Sequence, residues 1–331
     1  MYYQILTLSL LLMPLWLAAP AYSANPKHIE QLLKTNQCLK CNLKGAALKG
    51  AKLAGADLRE ANLSQADLEG ADLKGAKMQK AQMQETVIRG ANLEQADLEA
   101  AKMQGAKMRD AKLQGAKLSY AFLREAQLQG AALSGAKLNA AFLKEAILTD
   151  ANLKAASIRG ADLSGAKLER AALDGVNLES ANLSGADLSA AYLGDANMRG
   201  VNLTGAKLNG AKLLSSGLVD AKASGADLRG ANLNRANLSY ADLNGAKLGK
   251  ADLTKAVLSV AKLTGADLSG ATLRSAYLYR ANLQGANLAR AILERANLTE
   301  ANLTRANLEG AVLTNANLTN TIFTGAEGVQ R

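Results

Sequence analysis

From Cys41 to Gly325 the chain repeats a five-residue pattern: an apolar residue at the centre, a small residue two places before it, and polar residues between. ANLSQ at 61, ADLSG at 161 and ANLTR at 301 are examples. The 57 pentads run without insertion, and their centre is Leu in 48 of them and otherwise Met, Ile, Phe or, once, Ala223. Both the central residue and the Ala two before it must therefore point inward. Ala, Leu, Lys, Glu and Gln are good helix formers, but five residues advance a helix by about 140° beyond a full turn, so the leucines would spiral and make no stripe. A flat strand fails as well, because residues five apart fall on opposite faces. The pattern predicts a very short strand with Ala and Leu on one side, then a corner in the remaining three residues, where Asn, Asp, Ser, Thr and Gly suit a turn.

One corner after every pentad closes the chain into a coil, and the charged residues count its sides. The outward residue before each Leu is often Lys or Asp, and coils stacked at about 4.8 Å should pair opposite charges one coil apart. At a separation of 20 residues eleven such pairs are opposite and one, Lys117 with Lys137, is alike. At 10, 15 and 25 residues like pairs outnumber opposite ones. The longest ladder is Lys167, Asp187, Lys207, Asp227, Lys247 and Asp267, and a second is Asp57, Lys77, Asp97 and Lys117. Twenty residues per coil means four sides, about 14 coils and a rod of roughly 70 Å. The weakest stretch is expected at Ser215 to Gly225, where Ser216 replaces Ala, Gly217 takes an outward position and Ala223 replaces Leu.

Before the repeats, residues 1–23 read as a secretory signal peptide: no charged side chain, an apolar run from Ile5 to Ala19, and small residues that place cleavage after Ala21 or Ser23. The run is shorter than the roughly 20 residues a membrane span needs, and Pro14 interrupts it. In residues 24–40, Asn25 and Pro26 read as N-cap and first helical residue, Ile29, Leu32 and Leu33 form a short apolar stripe, and Asn36 reads as a stop. So short a helix needs support, and its apolar side is expected over the open end of the solenoid. Cys38 and Cys41 are the only cysteines. A zinc site wants four ligands, and only His28 joins the two cysteines; haem attachment wants His where Asn42 stands; a thioredoxin motif wants a βαβ setting. A disulfide stapling the cap to the first coil is the expectation, provided the link between the cysteines turns.

These residues resemble the pentapeptide repeat family, whose A-[DN]-L-x-x consensus implies an all-β, right-handed quadrilateral β-helix from Cys41 to Gly325. The cap QLLKTNQCLKC resembles that of exported members common in cyanobacteria, which implies the periplasm or thylakoid lumen. Residues 321–331, of which 326–331 are a tail beyond the repeats, show no matching C-terminal cap, leaving an open coil edge on which a second copy could stack as a homodimer.

Function is read from what such a surface offers. An enzyme needs convergent titratable groups in a concave, water-excluding site, whereas here the interior is expected to hold only Ala and Leu and the charges to lie on nearly flat, solvated walls. No catalytic residue, metal or cofactor is expected. Some family members resemble double-stranded DNA and bind topoisomerases, which calls for an acidic surface; this chain has a net charge of +10. Direct nucleic-acid binding lacks a recognition motif, and the basic residues are expected to be mostly neutralised within ladders. The preferred reading is a non-catalytic, extracytoplasmic scaffold for a protein partner that the sequence does not name. The alternative is a membrane-associating structural protein, with a DNA mimic behind both. Two exposed patches stand out for a partner: Tyr120, Phe122 and Phe142, and Tyr277, Tyr279 and Arg280. Aromatic stacking that merely staples neighbouring coils explains them as well. A basic column, Arg235, Lys255 and Arg295, could meet acidic lipid heads or proteins, or be a solvated ridge.

Overall fold

Between the first and last coils, each pentad places four of its five backbone N–H groups without help from any side chain. Leu43 N–H donates to Asn62 O at 2.7 Å and Gly45 N–H to Ser64 O at 2.9 Å, both in the next coil. Asn62 N–H reaches back to Cys41 O at 2.8 Å, and Ala46 N–H closes the corner on Leu43 O at 3.0 Å. The fifth donor, on the residue after the Leu, is out of reach of the neighbouring coil. In many pentads the side chain before the Leu takes it: Lys44 N–H donates to Asn42 Oδ1 at 3.2 Å and Ser64 N–H to Asn62 Oδ1 at 3.1 Å. This Asx turn gives Asn or Asp at that position a structural role besides facing outward. The last residue of each pentad has positive φ, for instance 70° at Gly45 and 66° at Gly50, while the residue before it does not, so every corner is a type II turn.

The computed structural model describes residues 23–328; the signal-peptide reading falls almost entirely on residues 1–22, which lie outside the described residues, as do 329–331 of the tail. Parallel bridges join residues 20 apart from Gln37↔Asp57 to Asn307↔Glu327. The chain is a right-handed quadrilateral β-helix with four walls. Face 1 carries Asn42, Asn62 and their successors at 20-residue steps, face 2 Ala47 and Asp67, face 3 Lys52 and Asp72, and face 4 Asp57 and Lys77. Corner 1 follows face 1, and so on to corner 4, which leads into face 1 of the next coil.

The core is a column of Leu and Ala, all but sealed from solvent through Leu308. It is not purely apolar, as the sequence suggested. Thr86 and Ser216 occupy Ala positions at 0% and 1% exposure, and their hydroxyls donate to Leu63 O at 2.8 Å and Leu213 O at 2.7 Å. A small hydroxyl fits where Ala fits, and a backbone carbonyl satisfies it.

Helix α1, Pro26–Thr35, starts on Asn25, whose Oδ1 accepts from Lys27 N–H at 3.0 Å, and ends on Asn36 with φ of 55°. Leu32 is buried over the first coil. The cap also meets that coil's backbone: Asn42 N–H donates to His28 Nδ1 at 2.9 Å, and Asn25 N–H donates to Asn42 O at 3.0 Å. Cys38 and Cys41 form a disulfide, with Cα atoms 5.2 Å apart across the turn at Leu39 and Lys40. At the other end the last described coil is uncovered. Leu313 and Phe323 are only partly buried, Leu318 is exposed, and their N–H groups have no backbone partner among the described residues.

Candidate interaction surfaces

Exposed side chains come from two places in each pentad, the residue before the Leu, on a face, and the two corner residues. The 20-residue coil stacks each on its counterpart above and below. Phe122 and Phe142 therefore lie on face 1, one coil apart, their rings parallel within 10° and their centroids 4.9 Å apart. Tyr120 stands on the adjoining corner 4, 55% exposed. Phe142 remains 45% exposed, so the stack leaves one ring available as well as joining two coils.

The later patch is larger than the sequence indicated. Tyr277, on face 4, is 53% exposed, and the Arg280 guanidinium lies over the Tyr279 ring, 5.0 Å from its centroid. Arg280 also pairs with Glu300 of the next coil, so its charge is already matched. Directly below Arg280 on corner 4 stand Val260 and Tyr240, both exposed, and below Tyr277 lies Val257. The sequence reading passed over Tyr240, Val257 and Val260, although the numbers 240, 260 and 280 carry the signal once the coil length is known. Tyr240 and Val260 also hold φ of 62° and 60° at a corner position where glycine is at ease.

The charge ladders are built, but not all their rungs close. Lys167, Asp187, Lys207, Asp227, Lys247 and Asp267 follow one another on face 2 at every bridge. Lys207 Nζ lies 3.5 Å from Asp187, whereas Asp227 is held by Arg229 on its own corner, with Arg229 Nε donating at 2.8 Å. That hydrogen bond holds the Asp227 carboxyl below its usual range, against its partial burial. On face 4, Lys117 meets Asp97 at 3.4 Å while Arg59 takes Asp57. A flexible Arg two residues away reaches the carboxylate as easily as a Lys one coil away.

The expectation that basic residues are mostly neutralised within ladders fails on face 3. From coil 190 upward, Lys212 on the face, Lys250 and Arg290 on corner 2, and Arg235, Lys255 and Arg295 on corner 3 are in no ion pair among the described residues. The reason lies in their neighbours one coil away. Lys250 stands between Gly230 and Gly270, Arg290 between Gly270 and Gly310, and Arg295 between Ser275 and Asn315. The ladder rule holds for positions before the Leu, and five of these six are corner residues. Surface depressions along this strip are shallow; the one bounded by Arg229, Lys250, Asp267 and Ser269 holds about 410 Å³. Among the described residues no three His, Cys, Asp or Glu gather as a metal site, and no helix is long and apolar enough to cross a membrane.

The model of pentapeptide repeats matches segments from residue 41 to 327, leaving only residue 145 and residues 214–217 unmatched. The chain belongs to the pentapeptide repeat family. Members are typically structural or interaction proteins. No curated protein matches. Among solved structures, HetL, a pentapeptide repeat protein involved in heterocyst differentiation regulation from the cyanobacterium Nostoc sp. strain PCC 7120, is 30% identical over 74% of this chain and 91% of its own, with a TM-score of 0.33. A thylakoid-lumen pentapeptide repeat protein of Arabidopsis thaliana is 34% identical over 28% of this chain and 65% of its own, with a TM-score of 0.28. Rfr23 from the cyanobacterium Cyanothece 51142 is 46% identical over 29% of this chain and 63% of its own, with a TM-score of 0.20. The chain thus spans a little under two thirds of the length of these last two.

Proposed function

We propose that this pentapeptide repeat protein is a non-catalytic, extracytoplasmic scaffold whose protein partner docks on corner 4 around Tyr240, Val260 and Tyr277. The observation that carries the reading is strain without burial. Bulky residues in the left-handed region cost free energy, yet Tyr240 is 59% and Val260 37% exposed, so the rod's own packing recovers little of it. Tyr and Arg on an apolar surface are suited to be anchors of an interface. The Tyr120, Phe122 and Phe142 cluster is a second, smaller contact on the same rod. Solvated walls and shallow depressions support the absence of catalysis, and the basic strip on face 3 speaks against a DNA mimic. The Cys38–Cys41 disulfide supports an oxidising compartment such as the periplasm or thylakoid lumen.

A photoactivatable phenylalanine analogue at position 240 or 277, crosslinked in the protein's own cell, tests this. One protein should be enriched at both positions and absent when the analogue sits at 205, on corner 1. The same set of proteins from all three positions would reject corner 4 as the site.

A second copy is a further partner, on the last described coil, where Leu318 is 36% and Ile322 49% exposed beside N–H groups that have no backbone partner among the described residues. Light scattering should then show a dimer that Leu318→Lys converts to monomer; a monomeric wild-type chain would exclude it.

A further inference from the structure

We infer that face 3, between residues 190 and 300, is a docking surface for an anionic lipid bilayer, and that the rod lies along the membrane on this wall. The inference stands apart from the corner 4 reading. Six cations without an ion pair among the described residues, Lys212, Arg235, Lys250, Lys255, Arg290 and Arg295, share one wall and its two edges. Against them the same strip holds two unpaired carboxylates, Asp195 and Asp252, with Glu309 at its end. The opposite wall has no such excess: on face 1 Lys222, Asp242 and Lys262 alternate, and corner 1 runs Thr204, Ser224, Asn244 and Thr264.

The arrangement favours a lipid surface over an acidic protein or an extended polyanion. The cations are spread over both edges of a wall about five coils tall, roughly 24 Å at the coil spacing, and the depressions beside Arg295 and between Lys250 and Arg290 are open to solvent and each also lined by a carboxylate, Glu294 or Glu309. Their intervals are uneven: Arg235 and Lys255 are one coil apart, Lys255 and Arg295 two, Lys250 and Arg290 two. A rigid partner would need carboxylates matching that irregular set, whereas mobile headgroups gather under each cation. Tyr192 and Leu214, 49% and 46% exposed at the lower end of the strip, supply side chains suited to the headgroup boundary. Corner 4 bounds faces 4 and 1, so a rod resting on face 3 turns Tyr240 and Tyr277 away from the plane of the bilayer's contact, where a soluble partner can reach them.

The test uses the full chain and two vesicle preparations, neutral phosphatidylcholine alone and with about a third phosphatidylglycerol, and reads the ratio of the two partition coefficients. Residues 1–22 carry no charged side chain and are common to every variant, so their contribution largely cancels in that ratio. Each basic residue near an anionic surface is worth about 1 kcal/mol, so Arg235→Gln, Lys255→Gln and Arg295→Gln together should lower the ratio on the order of 100-fold. Raising salt to about 0.5 M should abolish the wild-type preference. A control that removes the same charge elsewhere, Lys102→Gln, Lys107→Gln and Lys137→Gln, should change the ratio less than about threefold. Circular dichroism establishes that both triple variants keep the fold. A wild-type ratio near one overturns the inference, as does an equal loss in the control. Retention by soluble polyglutamate at a salt concentration where anionic vesicles are not bound also overturns it, and assigns the wall to an acidic protein.

Discussion

Val260 is the residue whose local cost is plainest. A β-branched side chain at φ of 60° sits where glycine or asparagine belongs. Val260→Gly should raise stability by about 1 kcal/mol in denaturant unfolding, while reducing crosslinking from position 240; a loss of stability would mean that corner 4 packs better than its exposure implies. Asp57 makes the opposite case, a side chain that strengthens its surroundings. It is 7% exposed and accepts from Arg59 Nε at 2.8 Å, and that bond holds its carboxyl below the usual range although burial works against it. Because the folded value lies below the unfolded one of about 3.9, its contribution is complete above that pH and is lost as pH falls through the folded value. Amide protection relative to the intrinsic exchange rate in the first two coils should therefore fall below about pH 4, and Asp57→Asn should remove that acid-dependent component.

In the pentads between 211 and 230 the column of core leucines is interrupted. Ala223 stands between Leu203 and Leu243 of adjacent coils, and Ser216 takes an Ala position, its hydroxyl bonded to Leu213 O. The backbone bonds persist, Ala223 N–H donating to Asp242 O at 2.7 Å, so the weakness is one of side-chain contact alone. The family match breaks at the same place, between 213 and 218. Hydrogen exchange should open residues 215–225 before the coils on either side. Ala223→Leu, returning the side chain that its neighbours in the column carry, should slow that opening and add about 1.5 to 3 kcal/mol. Exchange no faster there than elsewhere would show that neighbouring leucines have closed over the smaller residue.

For the rod as a whole, stability is a sum over coils, and any change that keeps the five-residue step should be tolerated. Deleting residues 181–185 should leave a cooperative β-solenoid by circular dichroism, with everything beyond it turned by a quarter circle. Deleting only 181–183 swings the following side chains out of step with the interior and should abolish cooperative unfolding of the joined rod. Survival of the second deletion would contradict the geometry on which the four faces rest. Because the basic strip and the patch of Tyr240, Val260 and Tyr277 both lie beyond residue 185, the five-residue deletion should preserve their relation to each other and alter their bearing on α1 and on the stack of Phe122 and Phe142.

The inward Leu, the corner after every pentad, the 20-residue coil and the capping role of residues 25–36 were all legible in the chain, because each expresses one local constraint repeated many times. Even the stack of Phe122 on Phe142 followed from the period. The choice among partners belonged to the folded rod: Arg229 rather than a ladder lysine on Asp227, His28 on the Asn42 amide, Tyr240 and Val260 joined to Tyr277, six cations on and beside face 3 in no ion pair among the described residues. Periodicity assigns a residue to a wall or a corner, but pairing depends on side-chain reach across coils a few ångströms apart, and only the three-dimensional arrangement sets those distances.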